Sequence, residues 1–302
     1  MQSRLSKHPH LFLLLIVLFV AFCSSLHTSF VTITRNPIMS EAKVVVIFGF
    51  GSLMDVQSAH NTMPSASNFR RGILRHHSRV YSLVSIGGLK SGRANLATRE
   101  VAALAARPSQ GSSIRGVLFD IPEEEFAAYA EREHRYLLEK RPVLQLGDGT
   151  GELEIITSAF TCLEQTDEQY LASLPGGAKE WEDRVGQHYP SAGPAPRGGE
   201  GGRLWGRADV LPMPAYMANV IAAASTLGEE WLLDAVDSTF LVDGTTSLRA
   251  YIRERLDGSD SEELRQVLGD RSLRLLAGSD SGSVLNMTLL QYFTTEATWR
   301  YA

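Results

Sequence analysis

A hydrophobic run that leads directly into a glycine-rich loop is the first place in this chain where the backbone could hold a ligand. The run covers Val44–Phe48, whose residues are β-branched or aromatic, and it predicts a strand that is buried on both faces. Gly49, Phe50, Gly51 and Ser52 follow at once. Two glycines this close allow a tight turn that presents main-chain N–H groups to an anion. The loop is therefore a candidate binding site.

Three kinds of site use a loop of this sort, and two of them need a residue that this chain lacks. A dinucleotide-binding loop needs a third glycine at position 54, which is Met54, and an acidic residue that ends a second strand. A nucleophile elbow built on Ser52 needs a glycine at the same position. The sequence favours the third kind, an anion cradle for a small carboxylate, and a Rossmann-type nucleotide site is the weaker alternative.

Glu133 is the second candidate, because it is a carboxylate at a position where the pattern predicts burial. Pro122, followed by three glutamates, is typical of a helix start. Phe126 and Tyr129 fall on one face of this predicted helix, and Glu133 falls on the same face. In one interpretation the carboxylate pairs at a helix end with a nearby arginine, namely Arg132, Arg135 or Arg141. In the other it is partly desolvated, with a raised pKa that suits a general base.

The elements that position these residues are mostly strands in the first half of the chain. The patterns predict strands at 79–86, 94–99, 114–121 and 152–163. The polar and basic stretch at 55–78 is interpreted as a solvated connection.

Helices dominate the second half. A helical pattern at 167–189 is interrupted at Pro175–Gly177, and three further helices are predicted at 215–227, 229–239 and 246–256. The range 190–203 is rich in proline and glycine and predicts a mobile loop. The order of elements is an α+β pattern, not a βαβ alternation.

Composition excludes some classes of function. The chain has 302 residues and a net charge of −5, with no basic run, so nothing favours nucleic acid as a partner. Its two cysteines, Cys23 and Cys162, form no Cys/His cluster with zinc spacing, and we expect no structural metal.

Residues 1–42 are a segment of a different character. Basic residues precede the apolar run Leu11–Phe22, and Cys23 and two serines follow it. This arrangement predicts a secretory signal peptide, or a signal anchor that holds the protein at a membrane through residues 11–23. Residues 26–42 are a spacer or a second targeting signal, which would direct the chain to a plastid if targeting is bipartite.

Four segments together resemble the gamma-glutamylcyclotransferase-like family. Residues 48–54, FGFGSLM, resemble the strand and loop that open the family's fold, and residues 116–121 resemble the strand before its catalytic segment. Residues 129–136, YAEREHRY, resemble the segment that carries the catalytic glutamate, and residues 216–233 resemble its C-terminal helices. The resemblance covers 43–256 and leaves 257–302 as a C-terminal extension. It implies a small mixed β-barrel or sheet with flanking helices.

The resemblance also implies an activity, which is release of 5-oxoproline from gamma-glutamyl amides without a cofactor. Glu133 is then the catalytic acid and base. The implied substrate-binding residues are Phe50, Gly51, Ser52, Leu53 and Tyr136. Two positions depart from the family: phenylalanine replaces the usual tyrosine at position 50, and the segment after Glu133 lacks a glycine.

The sequence alone therefore leaves two candidate functions. The first is a gamma-glutamylcyclotransferase-like enzyme that acts on glutathione, a gamma-glutamyl amino acid or a gamma-glutamyl amine. The second is a non-catalytic relative that binds a small ligand or a partner through the same pocket. Retention of both the loop and the glutamate favours the enzyme.

Overall fold

The computed structural model describes residues 43–147, 155–189 and 203–257, with a few single positions between 262 and 273. The predicted signal or anchor segment at 1–42 lies outside these residues, as do 190–202 of the predicted mobile loop and nearly all of the predicted C-terminal extension. No helix within the described ranges is long and apolar enough to cross a membrane.

Five strands form a closed barrel. They are β1 (Val44–Gly49), β2 (Ser67–Val84), β3 (Glu100–Pro122), β4 (Leu137–Gln145) and β5 (Ile155–Leu163). Around the ring, β1 pairs with β5, β5 with β4, β4 with β2, β2 with β3, and β3 again with β1. The β1–β5 pair is parallel, and the other four pairs are antiparallel. The predicted α+β fold with a small mixed barrel is confirmed, and the antiparallel β1–β3 pair contradicts a Rossmann-type sheet.

The barrel closes because its two longest strands bend. Strand β2 has 18 residues and β3 has 23. The β2–β3 register shifts at three places, and His76, at one of them, has a φ of 59°. Such bulges bend a strand and increase its twist, as a closed barrel requires. Short strands β6 (Leu211–Pro212) and β7 (Thr239–Leu241) add to β3 and β2 in parallel.

Helices flank the barrel. They are α1 (Val56–His60), α2 (Ile86–Lys90), α3 (Phe126–Arg132), α4 (Asp167–Ser173), α5 (Gly177–Trp181), α6 (Pro214–Leu227), α7 (Glu229–Asp237) and α8 (Leu248–Asp257). The helices predicted for the second half are confirmed, including the interruption before Gly177. Their ends follow local signals: a capping box at Thr166 starts α4, and Pro214 occupies the first turn of α6.

The interpretation of 55–78 as a solvated connection is wrong, because this stretch contains α1 and the first half of β2. Some of its charged residues, such as Arg71 and Arg75, are exposed on the strand, and others pair within the sheet. The Arg70 guanidinium, for example, lies 2.8 Å from the Asp120 carboxylate on β3. The strand predicted at 94–99 is also absent there, because β3 begins at Glu100. Strand β4 was not predicted from the sequence, because charged residues and a proline interrupt its apolar pattern.

Strand β1 is buried on both faces only at its C-terminal end, which corrects the prediction for the whole run. Val44 is 61% exposed, whereas Ile47 and Phe48 are buried. Burial therefore increases along the strand toward the glycine loop, and the loop starts from the interior of the protein.

A buried ion pair fastens α7 to the barrel. The Arg79 side chain on β2 is 0% exposed, and its Nη2 atom lies 2.7 Å from Oδ2 of Asp234. The same Oδ2 accepts the main-chain N–H of Arg115 on β3 at 3.0 Å. Because charges in an apolar interior must be paired, this contact joins two strands and a helix at one point.

Candidate active site

The glycine loop turns back on itself directly after β1. A 3-10 turn covers Ser52–Met54, and the Met54 N–H donates to the carbonyl of Gly51 at 3.0 Å. A Cβ atom at Gly49 would lie 2.7 Å from Cβ of Leu53, so only glycine allows this close return. Leu53 and Met54 are buried and anchor the turn in the core. The Leu53 N–H has no acceptor within the turn, whereas the Ser52 N–H donates to the Tyr216 hydroxyl.

Gly51 is required because α6 approaches the loop. The Tyr216 hydroxyl would lie only 2.6 Å from a Cβ atom at Gly51. The hydroxyl oxygen also accepts the main-chain N–H of Ser52, and burial raises the pKa of Tyr216. A neutral Tyr216 hydroxyl therefore lies against the candidate loop.

Glu133 is buried, although not by the helix face that the sequence predicted. Helix α3 ends at Arg132, and Glu133 occupies the position that caps it. Its N–H donates to the carbonyl of Tyr129 at 3.0 Å, and its own carbonyl accepts the N–H of Tyr136 at 2.9 Å. The chain thus turns sharply between α3 and β4, and the side chain of Glu133 is only 13% exposed.

Arg132 ties Glu133 to the loop. Its Nε donates to Oε1 of Glu133 at 2.9 Å, and its Nη2 donates to Oγ of Ser52 at 3.3 Å. Further bonds reach the Ser58 carbonyl at 2.7 Å and Oγ1 of Thr62 at 3.1 Å. Both interpretations of Glu133 are therefore correct in part, since the carboxylate is paired with an arginine and is also buried.

The loop and Glu133 line one cavity of about 320 Å³. This volume is at the lower end of the range for small-molecule sites, roughly 300 to 1,000 Å³. The structure brings together every residue that the sequence predicted for the site: Phe50, Gly51, Ser52, Leu53, Glu133 and Tyr136. Their roles stay predictions, because position alone does not test them.

The lining residues that sequence reasoning missed include Arg132, Arg135, Tyr216 and Asn219. Tyr216 and Asn219 are three residues apart on α6 and share a helix face, which is a spacing that could have linked them. Both arginines flank Glu133 in sequence and were considered only as partners for its charge.

Burial shifts the pKa values of the titratable side chains that line the cavity. It raises the pKa of Glu133 above the ordinary value, and Arg132 and Arg135 partly oppose this shift. It raises the pKa values of Tyr136 and Cys162 well above their ordinary values, so both stay neutral at physiological pH. Among the described residues that line the cavity, Glu133 is thus the group suited to exchange a proton near neutral pH.

A second cavity, of about 380 Å³, lies at the start of α4 and contains Asp167. Burial raises the pKa of Asp167 to about 6. Its carboxylate accepts the main-chain N–H groups of Leu204 at 3.1 Å and Trp205 at 3.0 Å. Asp167 therefore holds the start of the segment that leads to β6, which gives it a structural task.

Within the described ranges, no group of three or more His, Cys, Asp or Glu side chains is arranged to hold a metal ion.

Comparisons with known proteins find similar folds. No protein-family model matches the chain, and the curated proteins contain no match. A solved gamma-glutamyl cyclotransferase is 12% identical, with a TM-score of 0.39 over 75% of this chain and 98% of its own. A human protein described as uncharacterised is 14% identical, with a TM-score of 0.39 over 74% of this chain and 98% of its own.

A gamma-glutamyl cyclotransferase from yeast, described as specific to glutathione, is 15% identical. Its TM-score is 0.29 over 48% of this chain and 87% of its own. Two of these solved structures are described as gamma-glutamyl cyclotransferases, and the sequence motifs of this chain resemble that family.

Proposed function

We propose that this chain is a gamma-glutamylcyclotransferase-type enzyme that releases 5-oxoproline from a gamma-glutamyl amide. One observation carries the proposal: the glycine loop and Glu133, 80 residues apart in sequence, line one cavity of about 320 Å³. The cavity joins main-chain donors for an anion with a buried carboxyl whose pKa is raised.

The reaction needs little from the protein beyond position and one proton carrier. The substrate's α-amino nitrogen attacks its own γ-carbonyl carbon, a C–N bond forms, and the C–N bond to the leaving amine breaks. Glu133 takes one proton from the α-ammonium group and delivers one to the leaving nitrogen, while the second proton that the ring nitrogen loses passes to solvent, from which the departing amine is protonated. Because nucleophile and carbonyl belong to one molecule, correct folding of the substrate supplies much of the rate.

The loop is assigned to the glutamyl end of the substrate. The N–H groups of Gly51 and Leu53 hold the α-carboxylate, as main-chain donors at a tight turn hold anions elsewhere, while the Ser52 N–H donates to the Tyr216 hydroxyl. Phe50 and Tyr136 contribute walls to the same cavity. Arg132 acts as a positioning residue, since it bonds to both the Glu133 carboxylate and the Ser52 hydroxyl.

The test is 5-oxoproline release from glutathione, gamma-glutamyl-alanine and a gamma-glutamyl amine. We expect Glu133→Gln to reduce kcat by roughly 10² to 10⁴, which is the usual contribution of general acid–base catalysis. The control is Glu131→Gln, because Glu131 is exposed, pairs with Arg184 at 2.7 Å and does not line the cavity. Equal turnover by the wild type and Glu133→Gln would refute the assignment, and no turnover on any of these substrates would favour a binding protein.

A further inference from the structure

Arg135 is a cation in the candidate active site whose charge acts on the Glu133 carboxylate without a hydrogen bond or ion pair to it. It lines the same cavity as Glu133 and Tyr136. Its Nε atom is buried and has no hydrogen-bond partner, and no ion pair links it to a carboxylate of the described residues. Leaving a buried donor unsatisfied costs about 1–3 kcal/mol, and more for a charged group. Such a group is expected to find its partner in a ligand.

The charges around the cavity point the same way. Among the described residues, the lining contains three arginines, Arg93, Arg132 and Arg135, but a single carboxylate, Glu133. Arg132 already bonds to Glu133, and Arg93 donates from Nε to the Ser91 hydroxyl at 2.9 Å. Two positive charges thus remain without a carboxylate, so the cavity favours an anionic ligand.

A gamma-glutamyl substrate can present two anions. One is the α-carboxylate, which the proposed function assigns to the N–H groups of Gly51 and Leu53. The other is a carboxylate on the amine that leaves, which gamma-glutamyl amino acids and peptides carry but gamma-glutamyl amines do not. Arg135 follows Glu133 by two residues, and Glu133 exchanges protons with both the α-nitrogen and the leaving nitrogen. Because the loop is assigned to the α-carboxylate, the carboxylate on the leaving amine is the anion that remains for Arg135.

We propose that Arg135, assisted by the exposed Arg93, binds a carboxylate on the leaving-amine side and so selects gamma-glutamyl amino acids or peptides over gamma-glutamyl amines. This inference rests on the proposed function. A guanidinium suits the task because its planar fork matches the two oxygens of a carboxylate. The residue lies in the segment where this chain departs from the family pattern, so it is a feature of this chain's own site.

The test compares gamma-glutamyl-alanine with gamma-glutamyl-alaninamide, which differ only in the charge of the leaving side. We expect the wild type to favour the acid, and Arg135→Gln to lower kcat/KM for the acid roughly tenfold to a hundredfold, as loss of a charge-assisted hydrogen bond does. The kcat/KM for the amide should not change. Arg135→Lys keeps a charge and should retain part of the preference.

Arg141→Gln is the matched control, because Arg141 pairs with Glu139 on β4 and does not line the cavity. It should leave the preference intact. An equal loss for acid and amide in Arg135→Gln would overturn the proposal and place Arg135 at the α-carboxylate. An unchanged preference would also overturn it.

Failure of the proposed function is separable from failure of this inference. If the wild type releases 5-oxoproline from neither compound, the catalytic proposal fails, and binding of the same two compounds by calorimetry decides the role of Arg135. Tighter binding of the acid by the wild type, lost in Arg135→Gln, supports the carboxylate site. Equal affinity for both compounds, or no binding of either, overturns it.

Discussion

Replacement of Glu133 by glutamine should make the folded protein more stable at neutral pH while it strongly reduces kcat. Burial raises the pKa of this carboxyl, so the folded chain binds the proton more tightly than the unfolded chain does. The full contribution of Glu133 to the free energy of unfolding is therefore present at pH values below the pKa of the unfolded chain, which is about 4.3. It is lost as pH rises through the folded pKa. Glutamine does not ionise and avoids this loss.

The size of the effect follows from the surroundings of the carboxylate. Its side chain is 13% exposed, and its bond to Nε of Arg132, at 2.9 Å, recovers part of the cost of ionisation. A pKa difference of one between the folded and unfolded chains corresponds to about 1.4 kcal/mol. A stabilisation on the order of 1 kcal/mol at neutral pH would raise Tm by about 2–4 °C in a domain of this size.

Thermal melts of the wild type and Glu133→Gln from pH 4 to pH 8 measure the difference directly. The two Tm values should nearly coincide at pH 4, and the variant should gain as pH rises. Glu131→Gln is the control with the opposite sign, because its bond to Arg184 lowers the pKa of Glu131, so this variant should gain no stability at neutral pH. A Glu133→Gln variant that loses stability as pH rises would refute the reasoning, since the carboxylate would then be a stabilising partner of Arg132.

Three further changes have expected outcomes. Gly51→Ala places a Cβ atom 2.6 Å from the Tyr216 hydroxyl, so the loop must shift, and KM for a gamma-glutamyl substrate should rise about tenfold or more, as displaced site groups cause. Arg132→Gln removes the largest of the charges that lower the pKa of Glu133, so the acid limb of the kcat/KM profile should move to higher pH. Asp234→Asn leaves its fully buried arginine partner on β2 unpaired and should cost about 3–5 kcal/mol in the free energy of unfolding measured with urea.

Each of these has a control and a contrary result. Gly147→Ala meets no atom within 4 Å and should leave KM unchanged, and an unchanged KM in Gly51→Ala would contradict the close approach of α6. An acid limb that stays in place in Arg132→Gln would mean that another group titrates. Asp237→Asn alters an exposed partner of Arg249 and should cost little, so equal losses in the two aspartate variants would contradict the account of the buried pair.

The two halves of the site could be predicted from the sequence because each carries a local signal. The glycine loop follows an apolar strand, and FGFGSLM matches a family pattern. Glu133 stood out as an acid among apolar helical positions. Glu133 is nevertheless not buried on a helix face, since α3 ends at Arg132 and a turn directs the carboxylate inward. A helical wheel cannot anticipate where a helix stops when no glycine or proline marks its end.

What the sequence could not supply was the pairing of distant strands. Strand β2 carries arginines and histidines that resemble a loop until Asp120, on β3, is placed beside Arg70. The Tyr216 hydroxyl reaches Ser52 from a helix more than 160 residues away in sequence. The unpaired charge of Arg135 is likewise visible only once its neighbours in space are known. Local sequence patterns predict helices and strands, whereas the partners of charged residues depend on which strands the closed barrel brings together.

The most direct test of the central claim, that the glycine loop and Glu133 form one substrate site, is a crystal structure of the protein with 5-oxoproline bound. We expect the ligand in the cavity of about 320 Å³. Its carboxylate should lie about 2.7–3.2 Å from the N–H groups of Gly51 and Leu53, and its ring nitrogen should be within reach of the Glu133 carboxylate. A ligand bound elsewhere, such as beside Asp167, or one in this cavity with its carboxylate away from the loop, would contradict the claim.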